Sequence, residues 1–383
     1  MKPRTMFFLL GGDTYGPSAE CESKRPDFVI RLEEICLSAG LKITTFNIEW
    51  MNDLFYPNEP RFKASHKKGR RTGPSITNIP ALCSRVQGTI HQVNPDILGV
   101  VEGPKLQSQM EKFVQEYLSD QSGDPLYSVV ASESERDQRP YLLVKQDTGI
   151  SVRTLHDEQR YRNMVKSWKF YPWGKFKAEE AEPHQFHRKP LVAEVQYEGR
   201  KLTVMLLHTK SKFIEAKPTD WKRYVEEAIL ARQKITSEIK KVRDYLDDAL
   251  MEEITRSIIV MGDLNDGPGR DLFEEQFMLQ NLVDVIQGTL LDPEFNIHHV
   301  LESLRIGAYT VEFEDPIDQQ KKRILLDHIL LSPEMLTGNA DFQYRKNSGR
   351  VEHEAWEKHL GTSPDALRDD RPSDHRPVSC EIA

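Results

Sequence analysis

The clearest pattern in the chain is an apolar run that ends in polar residues. Ile258–Met261 contains four consecutive apolar residues with high strand propensity, which predicts a strand buried on both faces. Gly262 then permits a sharp turn of the backbone, and Asp263 and Asn265 follow two residues apart. The sequence Asp266–Gly269 is typical of a loop. The pattern therefore predicts a buried strand that delivers a carboxylate and a carboxamide to its carboxyl end.

The same arrangement recurs in two other predicted strands. The strand Leu41–Ile48 leads to Asn47 and Glu49, which point to one side if the chain stays extended. The strand Asp96–Glu102 ends in the carboxylate of Glu102 and is followed by Gly-Pro. Each polar residue could instead serve only as a turn-former at a strand end.

Three further segments place polar residues at or within strands. Pro190–Tyr197 and Lys201–His208 read as a hairpin whose second strand ends at His208. Arg323–Ser332 reads as one apolar strand with Asp327 and His328 in its middle, where buried polar groups must be satisfied. Asp374 and His375 precede a terminal strand within Pro372–Ile382.

Helical periodicity is strongest in Trp221–Ile254, where apolar residues follow steps of three and four. Ile79–Val93 and Gln107–Leu118 are also predicted as helices, and Phe28–Leu37 could form one. Strands with polar ends alternate with helices through residues 41–383 with no linker and no repeat. We therefore expect a single domain over 41–383 and an N-terminal extension over 1–40.

The composition is that of a globular protein outside the membrane. The 383 residues include 38% hydrophobic and 29% charged residues, with a net charge of −8, and no apolar run could span a bilayer. The four cysteines lack metal-ligand spacing, which favours free thiols in a reducing compartment. We expect a cytoplasmic protein. Secretion is the alternative, since Met1–Gly12 is similar to a short signal peptide.

Two stretches are basic although the chain is acidic. Arg61–Arg71 contains six lysines or arginines and no acid, and is either a solvated loop or a phosphate-binding segment. Arg160–Lys177 interleaves six basic and six aromatic residues, a pattern that can hold a nucleic-acid backbone. We favour a loop whose aromatic rings pack on the domain edge, because exposed aromatic rings are unfavourable.

The polar residues at the strand ends suit one chemistry when they are taken together. They are Asn47, Glu49, Glu102, His208, Asp263, Asn265, Asp327, Asp374 and His375. Carboxylates and carboxamides without cysteine favour a hard cation such as Mg²⁺ or Mn²⁺. The set predicts metal-assisted attack of water on phosphorus, with Asp263 holding the water and the histidines stabilising the charge of the transition state.

In order, the motifs TFNIEW, PDILGVVEG, LLHTKSK, VMGDLND, LLDHILLS and SDHRPV resemble those of the endonuclease/exonuclease/phosphatase superfamily, the deoxyribonuclease-I-like proteins. The resemblance covers residues 41–383. It implies an α/β fold, a four-layered α/β/β/α sandwich in which two mostly antiparallel sheets pack face to face between outer helices.

The resemblance also implies roles for individual residues. Metal ligands would be Glu102 first, with Asn47 and Glu49 beside it and Asp374 closing the shell. Asp263 would align the water, and Asn265 would hydrogen-bond the scissile phosphate. His208 and His375 would stabilise the phosphorane, with His375 paired to Asp327. Further contacts to substrate phosphate would come from Arg188, Lys210 and Lys212.

Departures from the superfamily's branches narrow the expected function. Abasic-site endonucleases have a Tyr-and-Asn pair where this chain has His208-Thr209-Lys210, and the inositol-polyphosphate phosphatase signature is replaced by LLDHIL. HTKSK with GDLND is most similar to the bacterial nuclease-like members. We predict a Mg²⁺- or Mn²⁺-dependent phosphoesterase, foremost a nuclease with nucleic acid as its partner.

Two alternatives remain open at this point. A phosphomonoesterase or a lipid-headgroup phosphodiesterase could use the same site on a small phosphoester. A catalytically inactive binding module is less favoured, because every expected polar position is filled. The sequence indicates no oligomeric state.

Overall fold

The computed structural model describes residues 40–383 except 71, 134–135, 173, 176, 290, 302–307 and 363–367. The predicted helix Phe28–Leu37, and all but the last residue of the predicted extension, lie outside the described residues. The strands of the described part are, in chain order, β1 (Leu41–Asn47), β2 (Ile97–Gly103), β3 (Tyr127–Ala131), β4 (Arg139–Lys145), β5 (Ser151–Thr154), β6 (Trp168–Phe170), β7 (Glu182–His184), β8 (Leu191–Tyr197), β9 (Arg200–His208), β10 (Ile258–Asp263), β11 (His298–His299), β12 (Val311–Glu314), β13 (Lys321–Ile324), β14 (Asp327–Leu331), β15 (Arg350–Val351) and β16 (Val378–Ile382).

The α-helices of the same part are α1 (Ile79–Val93), α2 (Gln107–Tyr117), α3 (Gln159–Val165), α4 (Trp221–Glu252), α5 (Leu272–Gln276), α6 (Leu282–Gln287), α7 (Glu334–Thr337) and α8 (His353–Glu357). The long predicted helix is thus confirmed as α4, and the predicted helix after β1 as α1. Both have a polar cap, because the side chain of Asp220 accepts from the Arg223 amide and that of Asn78 accepts from the Ala81 amide. Among the described helices, none is long and apolar enough to span a membrane.

Two six-stranded sheets form the centre of the fold. One has the order β15-β16-β1-β2-β4-β3, and the other has the order β11-β14-β10-β9-β8-β5. Only β1–β2 and β9–β10 are parallel neighbours among the described strands of these sheets. The sheets are therefore mostly antiparallel, as expected. Their single parallel pairs matter for function because the carboxyl ends of such strands meet at one edge.

Three apolar layers hold the sheets and helices together. Side chains from both sheets interlock between them, among them Ile43, Val101, Leu206 and Met261. The outer face of the β1 sheet packs on α1 and α2, and the outer face of the β10 sheet packs on α4. The predicted α/β/β/α sandwich is confirmed.

Strand register places the polar ends side by side. On β10, Asp263 lies opposite His208 of β9 and opposite Asp327 of β14. On the other sheet, Asn47 lies opposite Val101, one residue before Glu102. Hydrophobic pairing along these strands thus forces their polar ends to a common edge.

The prediction of one strand over Arg323–Ser332 is wrong. β13 ends at Ile324, and β14 begins at Asp327, because the chain changes partner between them. The Leu326 carbonyl accepts from the Leu264 amide, and the Leu326 amide donates to the Thr310 hydroxyl. Asp327 therefore lies at the start of a strand rather than in its middle.

The second basic stretch only partly agrees with the loop that we favoured. Tyr161 is buried, and Trp168 lies edge-on to His184 and Phe186, on a small ribbon formed by β6 and β7. Tyr171, in contrast, is 53% exposed. The stretch also contains α3 and β6, so the prediction of one long loop is wrong.

Candidate active site

A buried group of polar side chains lies where β1, β2, β9 and β10 end and β14 begins. One ligand atom from each of Glu102, His208 and Asp263 lies within 4.8 Å of the other two, and the same holds for Asp263, Asp327 and His375. Asp263 is only 2% exposed. The two groups share Asp263, so it stands at the centre of the site, as the sequence predicted.

Asp263 is held by two neutral donors. The Asn265 amide donates to its Oδ1 at 2.7 Å, and the Asn47 side-chain amide donates to its Oδ2 at 3.0 Å. Burial raises the pKa of Asp263 to about 7, while His375 acts to lower that pKa and Asp327 to raise it. A carboxylate with such a pKa can accept a proton near neutral pH.

The close approach of β10 to β9 just before Asp263 depends on a glycine. Gly262 has φ +131°, a conformation that residues with a side chain rarely adopt, and a Cβ there would collide with the Leu207 carbonyl of β9. Gly262 thereby lets β10 approach β9 closely enough to set Asp263 beside His208. Asn265 follows with φ +51°.

Left-handed backbone conformations are concentrated in this region. Five of the residues with positive φ that are not glycine surround the site: Glu49, Trp50, Glu102, Gln138 and Asn265. Such conformations are unfavourable for these residue types and persist where the surrounding structure enforces them. Their concentration here indicates that the positions of the polar groups are imposed by the fold.

Glu102 also has only neutral donors as hydrogen-bond partners. Its carboxylate accepts from the Trp50 backbone amide at 2.8 Å, the Gln138 side chain at 2.9 Å and the Asn47 side chain at 3.2 Å. Burial and the nearby Asp374 raise the pKa of Glu102. A carboxylate that is buried close to another carboxylate is stabilised by an external cation.

His375 and Asp327 form a tight pair. The distance from His375 Nδ1 to Asp327 Oδ2 is 2.7 Å, and Asp327 is fully buried. Burial opposes the imidazolium, but Asp327 and Asp374 outweigh it and raise the pKa of His375 well above its usual value. The His375 ring therefore carries a proton on each nitrogen and directs Nε2 toward Asp263, at 3.9 Å.

His208 differs from His375 in its charge state. Burial, and then Arg188 and His375, lower its pKa well below the ordinary value. Its Nε2 lies 3.7 Å from Asp263 and 3.8 Å from Glu102. Within the described residues, its Nδ1 has no hydrogen-bond partner. His208 is thus a neutral ring that can donate one hydrogen into the site.

Two predicted metal ligands have other partners in the structure. Asn47 turns its amide nitrogen toward Glu102 and Asp263, because its oxygen accepts from the Glu49 backbone amide. It bridges the two carboxylates instead of presenting an oxygen. The structure thus does not support the expectation that Asn47 coordinates a metal through its oxygen.

The carboxylate of Glu49 is occupied by arginines. Arg368 lies 2.8 Å from it and Arg371 lies 3.3 Å from it, while the Asp374 amide donates to it at 3.0 Å. We expected the side chains of Asn47 and Glu49 to point to the same side because we assumed that the chain is extended between them. β1 instead ends at Asn47, and Glu49 has φ +33°, which turns its side chain toward the loop that precedes Asp374.

Asp374 lies at the solvent side of the site. It keeps 36% of its side chain exposed, and its Oδ1 is 4.0 Å from His375 Nε2. Burial opposes ionisation, but His375, Arg371 and Arg368 lower the pKa of Asp374. Asp374 is therefore ionised and accessible, as a metal ligand must be.

Arg188 reaches the site through a residue that the sequence did not indicate. Its guanidinium donates to the Gln138 side-chain oxygen at 2.9 Å, and the Gln138 nitrogen donates to Glu102. Arg188 also donates to the Thr209 carbonyl at 3.1 Å, and the side-chain amide of Asn265 donates to the same carbonyl at 3.0 Å. Gln138 immediately precedes β4 and belongs to no motif or periodic pattern in the sequence.

Of the two predicted phosphate-binding lysines, Lys212 has carboxylate partners, whereas Lys210 has none among the residues that the structure describes. Lys212 contacts Asp266, Asp271 and Glu274, so its ammonium is fully engaged away from Asp263. The structure thus contradicts the expectation that Lys212 binds substrate phosphate. Lys210 Nζ donates only to the Ser211 carbonyl, at 3.1 Å.

The residues present fit a divalent cation. Burial, and then the charge of Asp374, raise the pKa of Glu102, so a cation held by these two carboxylates would favour the ionised form of Glu102. Oxygen donors of this kind suit Mg²⁺ or Mn²⁺.

The chain was compared with known proteins. No protein-family model matches the chain, and no curated protein matches it. Similar solved structures include truncated TDP2 of Caenorhabditis elegans, with 13% identity, coverage of 90% of this chain and 98% of that chain, and a TM-score of 0.45. An endonuclease/exonuclease/phosphatase family protein of Bacteroides thetaiotaomicron has 11% identity, coverage of 90% and 94%, and a TM-score of 0.48.

The catalytic domain of human Nocturnin is a third similar structure, with 14% identity, coverage of 90% of this chain and 94% of that chain, and a TM-score of 0.41. Likenesses this distant concern the fold and carry no information about activity or substrate. The chemistry of this chain therefore has to be argued from the geometry of its own site.

Proposed function

We propose that this protein is a Mg²⁺- or Mn²⁺-dependent phosphoesterase whose substrate is nucleic acid. The observation that supports this most directly is the buried group around Asp263. It combines a carboxylate that can accept a proton near pH 7, a doubly protonated histidine and a neutral histidine. Hydrolysis of a phosphoester requires these properties: a base for water and donors for the charge that develops on the phosphate oxygens.

In the proposed reaction, Asp263 orients the water and accepts its proton as the water oxygen attacks phosphorus. The bond from phosphorus to the leaving oxygen breaks, and the leaving oxygen takes up a proton from solvent and departs as an alcohol. His375, which Asp327 holds in place, donates from Nε2 to a phosphate oxygen, and His208 donates from the other side. Asn265 and Arg188 position the phosphate from the Thr209 side of the site. Glu102 and Asp374 would hold the cation, which supplies positive charge to the phosphate oxygens when it is bound.

Nucleic acid is favoured over a small phosphoester by the cations near the site. Arg188 donates to the Thr209 carbonyl, as Asn265 does, and Lys210 is the residue that follows Thr209. Both cations therefore lie on the same side of Asp263. A chain of phosphates can contact several such cations at once. A phosphomonoesterase or a lipid-headgroup phosphodiesterase is the second candidate, since the central residues would act alike on any phosphoester.

The test is turnover by purified protein of supercoiled plasmid, structured RNA, bis(4-nitrophenyl) phosphate and 4-nitrophenyl phosphate, with Mg²⁺, Mn²⁺ or chelator. We expect metal-dependent cleavage of a nucleic acid that the His375→Ala variant lacks. Cleavage of the small esters alone would move the substrate to a headgroup or nucleotide. Absence of turnover and of metal binding would refute the proposed function.

A further inference from the structure

A second group of charged side chains lies next to the candidate active site. Its anchor is Glu238 of α4, which is 1% exposed. One oxygen of Glu238 accepts from the Lys210 backbone amide at 3.1 Å, and the other lies 3.0 Å from His184 Nε2. The long helix is thereby tied to the turn that follows β9, one residue beyond Thr209.

Lys234 of α4 is a further member of this group of charged side chains. It precedes Glu238 by four residues on α4, so the two side chains lie one turn apart on one face of the helix. Glu238 contacts the backbone of Lys210, and the charge of Lys234 lowers the pKa of Lys210, so the two ammonium groups are near enough to repel each other. The sequence gives no reason to select Lys234 from the other lysines of this helix.

The two lysines have no acidic partner. In the part of the chain that the structure describes, no carboxylate lies within 4.0 Å of the ammonium of Lys210 or Lys234, and both are only half-buried. Both oxygens of Glu238 already have contacts. Lys212, two residues along, shows the contrast, because three carboxylates surround it.

The charges of Arg188 and Arg136 also act in this region. Burial, Lys234 and then Arg188 lower the pKa of Lys210, with Glu238 acting against them. The pKa of His187 is likewise lowered by burial and by Arg188, Arg136 and Lys210. Positive charge is therefore concentrated here and only partly balanced by Glu238, so an anion bound at this place would be stabilised.

We propose that Lys210 and Lys234, with Arg136 and His187 at the edge, bind a second phosphate group of the substrate, next to the phosphate that is cleaved. This inference rests on the proposed function and narrows it to substrates with at least two phosphates. The path from Asn265 and Arg188 through the Thr209 carbonyl to Lys210 places the second phosphate beside the scissile one. It is either the neighbouring phosphate of a nucleic-acid strand or a second phosphate of a headgroup.

The test compares Lys234→Met with Lys240→Met. Lys240 is an exposed lysine of the same helix, six residues further on, with no acidic partner in the described residues. KM and kcat are measured on bis(4-nitrophenyl) phosphate, a short oligonucleotide and inositol bisphosphate. We expect Lys234→Met to raise KM about tenfold on a substrate with a second phosphate and to leave the small diester unchanged.

The substrates distinguish the two sources of the second phosphate. A higher KM for the oligonucleotide identifies a strand phosphate, and one for inositol bisphosphate alone identifies a headgroup. Equal effects of the two variants, or an equal rise on bis(4-nitrophenyl) phosphate, would overturn the inference.

A binding measurement separates the subsite from the reaction. The labelled oligonucleotide and inositol bisphosphate are titrated into Asp263→Asn, with and without Lys234→Met, over a range of salt concentrations. Loss of one strand-phosphate contact makes the log–log salt slope shallower by about 0.7. A shallower slope without turnover in the wild type would support the subsite and refute the proposed reaction, whereas an unchanged affinity and slope would refute the subsite.

Discussion

Two clusters of charged residues are centred on Asp263, the last residue of β10, and on Asp266, three residues later. The clusters differ in how their negative charges are neutralised. Around Asp263, the hydrogen bonds to Asp263 and Glu102 come from neutral amides. Around Asp266, Lys212 contacts three carboxylates and Arg232 contacts Asp271 at 2.6 Å. We call the second group, Lys212, Arg232, Asp266, Asp271 and Glu274, the ionic cluster.

The difference separates a functional group from a structural one. The ionic cluster contains its own cations, Lys212 and Arg232, so its carboxylates are neutralised without an external ion. Its contacts hold the loop after Asn265 against α4 and α5. Burial raises carboxylate pKa values in both groups, that of Asp266 included, but Asp263 and Glu102 accept hydrogen bonds from neutral amides, so an external cation and substrate can use their charge. Each prediction below changes one cluster and leaves the other as its control.

The largest effect is expected from Asp263→Asn. The variant loses the group that accepts the proton of water, so kcat for phosphodiester hydrolysis should fall about 10⁴-fold. Glu274→Gln is the matched change in the ionic cluster and should retain most of the activity. Steady-state kinetics check both, and an Asp263→Asn enzyme close to wild type would contradict the proposed role.

The next effect is on stability. Lys212→Met leaves the buried carboxylates of Asp266 and Glu274 without their cation, so the free energy of unfolding should drop by about 3–5 kcal/mol. Lys210→Met removes no ion pair and should change it little. Urea denaturation followed by circular dichroism measures both. Similar losses in the two variants would remove the distinction between these lysines.

A smaller effect concerns Gln138, which joins Glu102 to Arg188. Gln138→Met removes both hydrogen bonds, so Glu102 is less well oriented and the affinity for Mg²⁺ or Mn²⁺ should fall about 10- to 100-fold. Isothermal titration with Mn²⁺ measures this directly. Gln146→Met, on the exposed loop after β4, is the control, and equal affinities in the two variants would show that Gln138 does not position Glu102.

The smallest effect is the acid dependence of the ionic cluster. Burial opposes ionisation of Asp271, but Arg232 and Lys212 outweigh it, and its pKa lies below the ordinary value. Its contribution to stability is therefore present above the pKa of the unfolded chain and is lost as pH falls through the folded-state value. Asp271→Asn should lower the free energy of unfolding by about 1 kcal/mol above pH 5 and by less below pH 4. A difference that stays constant with pH would contradict the assignment.

The local pattern of the chain was sufficient for the strands that carry the site. β1, β2, β9 and β10 were predicted because each is a short apolar run that stops at a polar residue, and this pattern is a property of the local sequence. Asp263, Glu102, His208 and His375 meet because their strands end at one edge. The order of the motifs predicted the sandwich, which the two sheets confirm.

Side-chain partners could not be predicted from the same pattern. Lys210 and Lys212 have the same residue type and lie two positions apart, yet one lacks an acid and the other is surrounded by acids. Glu49 was expected to follow Asn47 in an extended chain, but the left-handed turn at Glu49 directs it to Arg368. Gln138 lies on a loop, where no periodicity selects one residue.

The sequence by itself determined the strands, the long helix and the polar residues at the strand ends, because burial of apolar runs and the chemistry of side chains are local properties. Only the tertiary structure decided which charges find a partner within the chain. Ion pairs such as Lys212–Glu274 join residues 62 positions apart, and the cost of burying a charge depends on every group around it. The balance of charge at Asp263 and at Lys234 is therefore a property of the folded molecule.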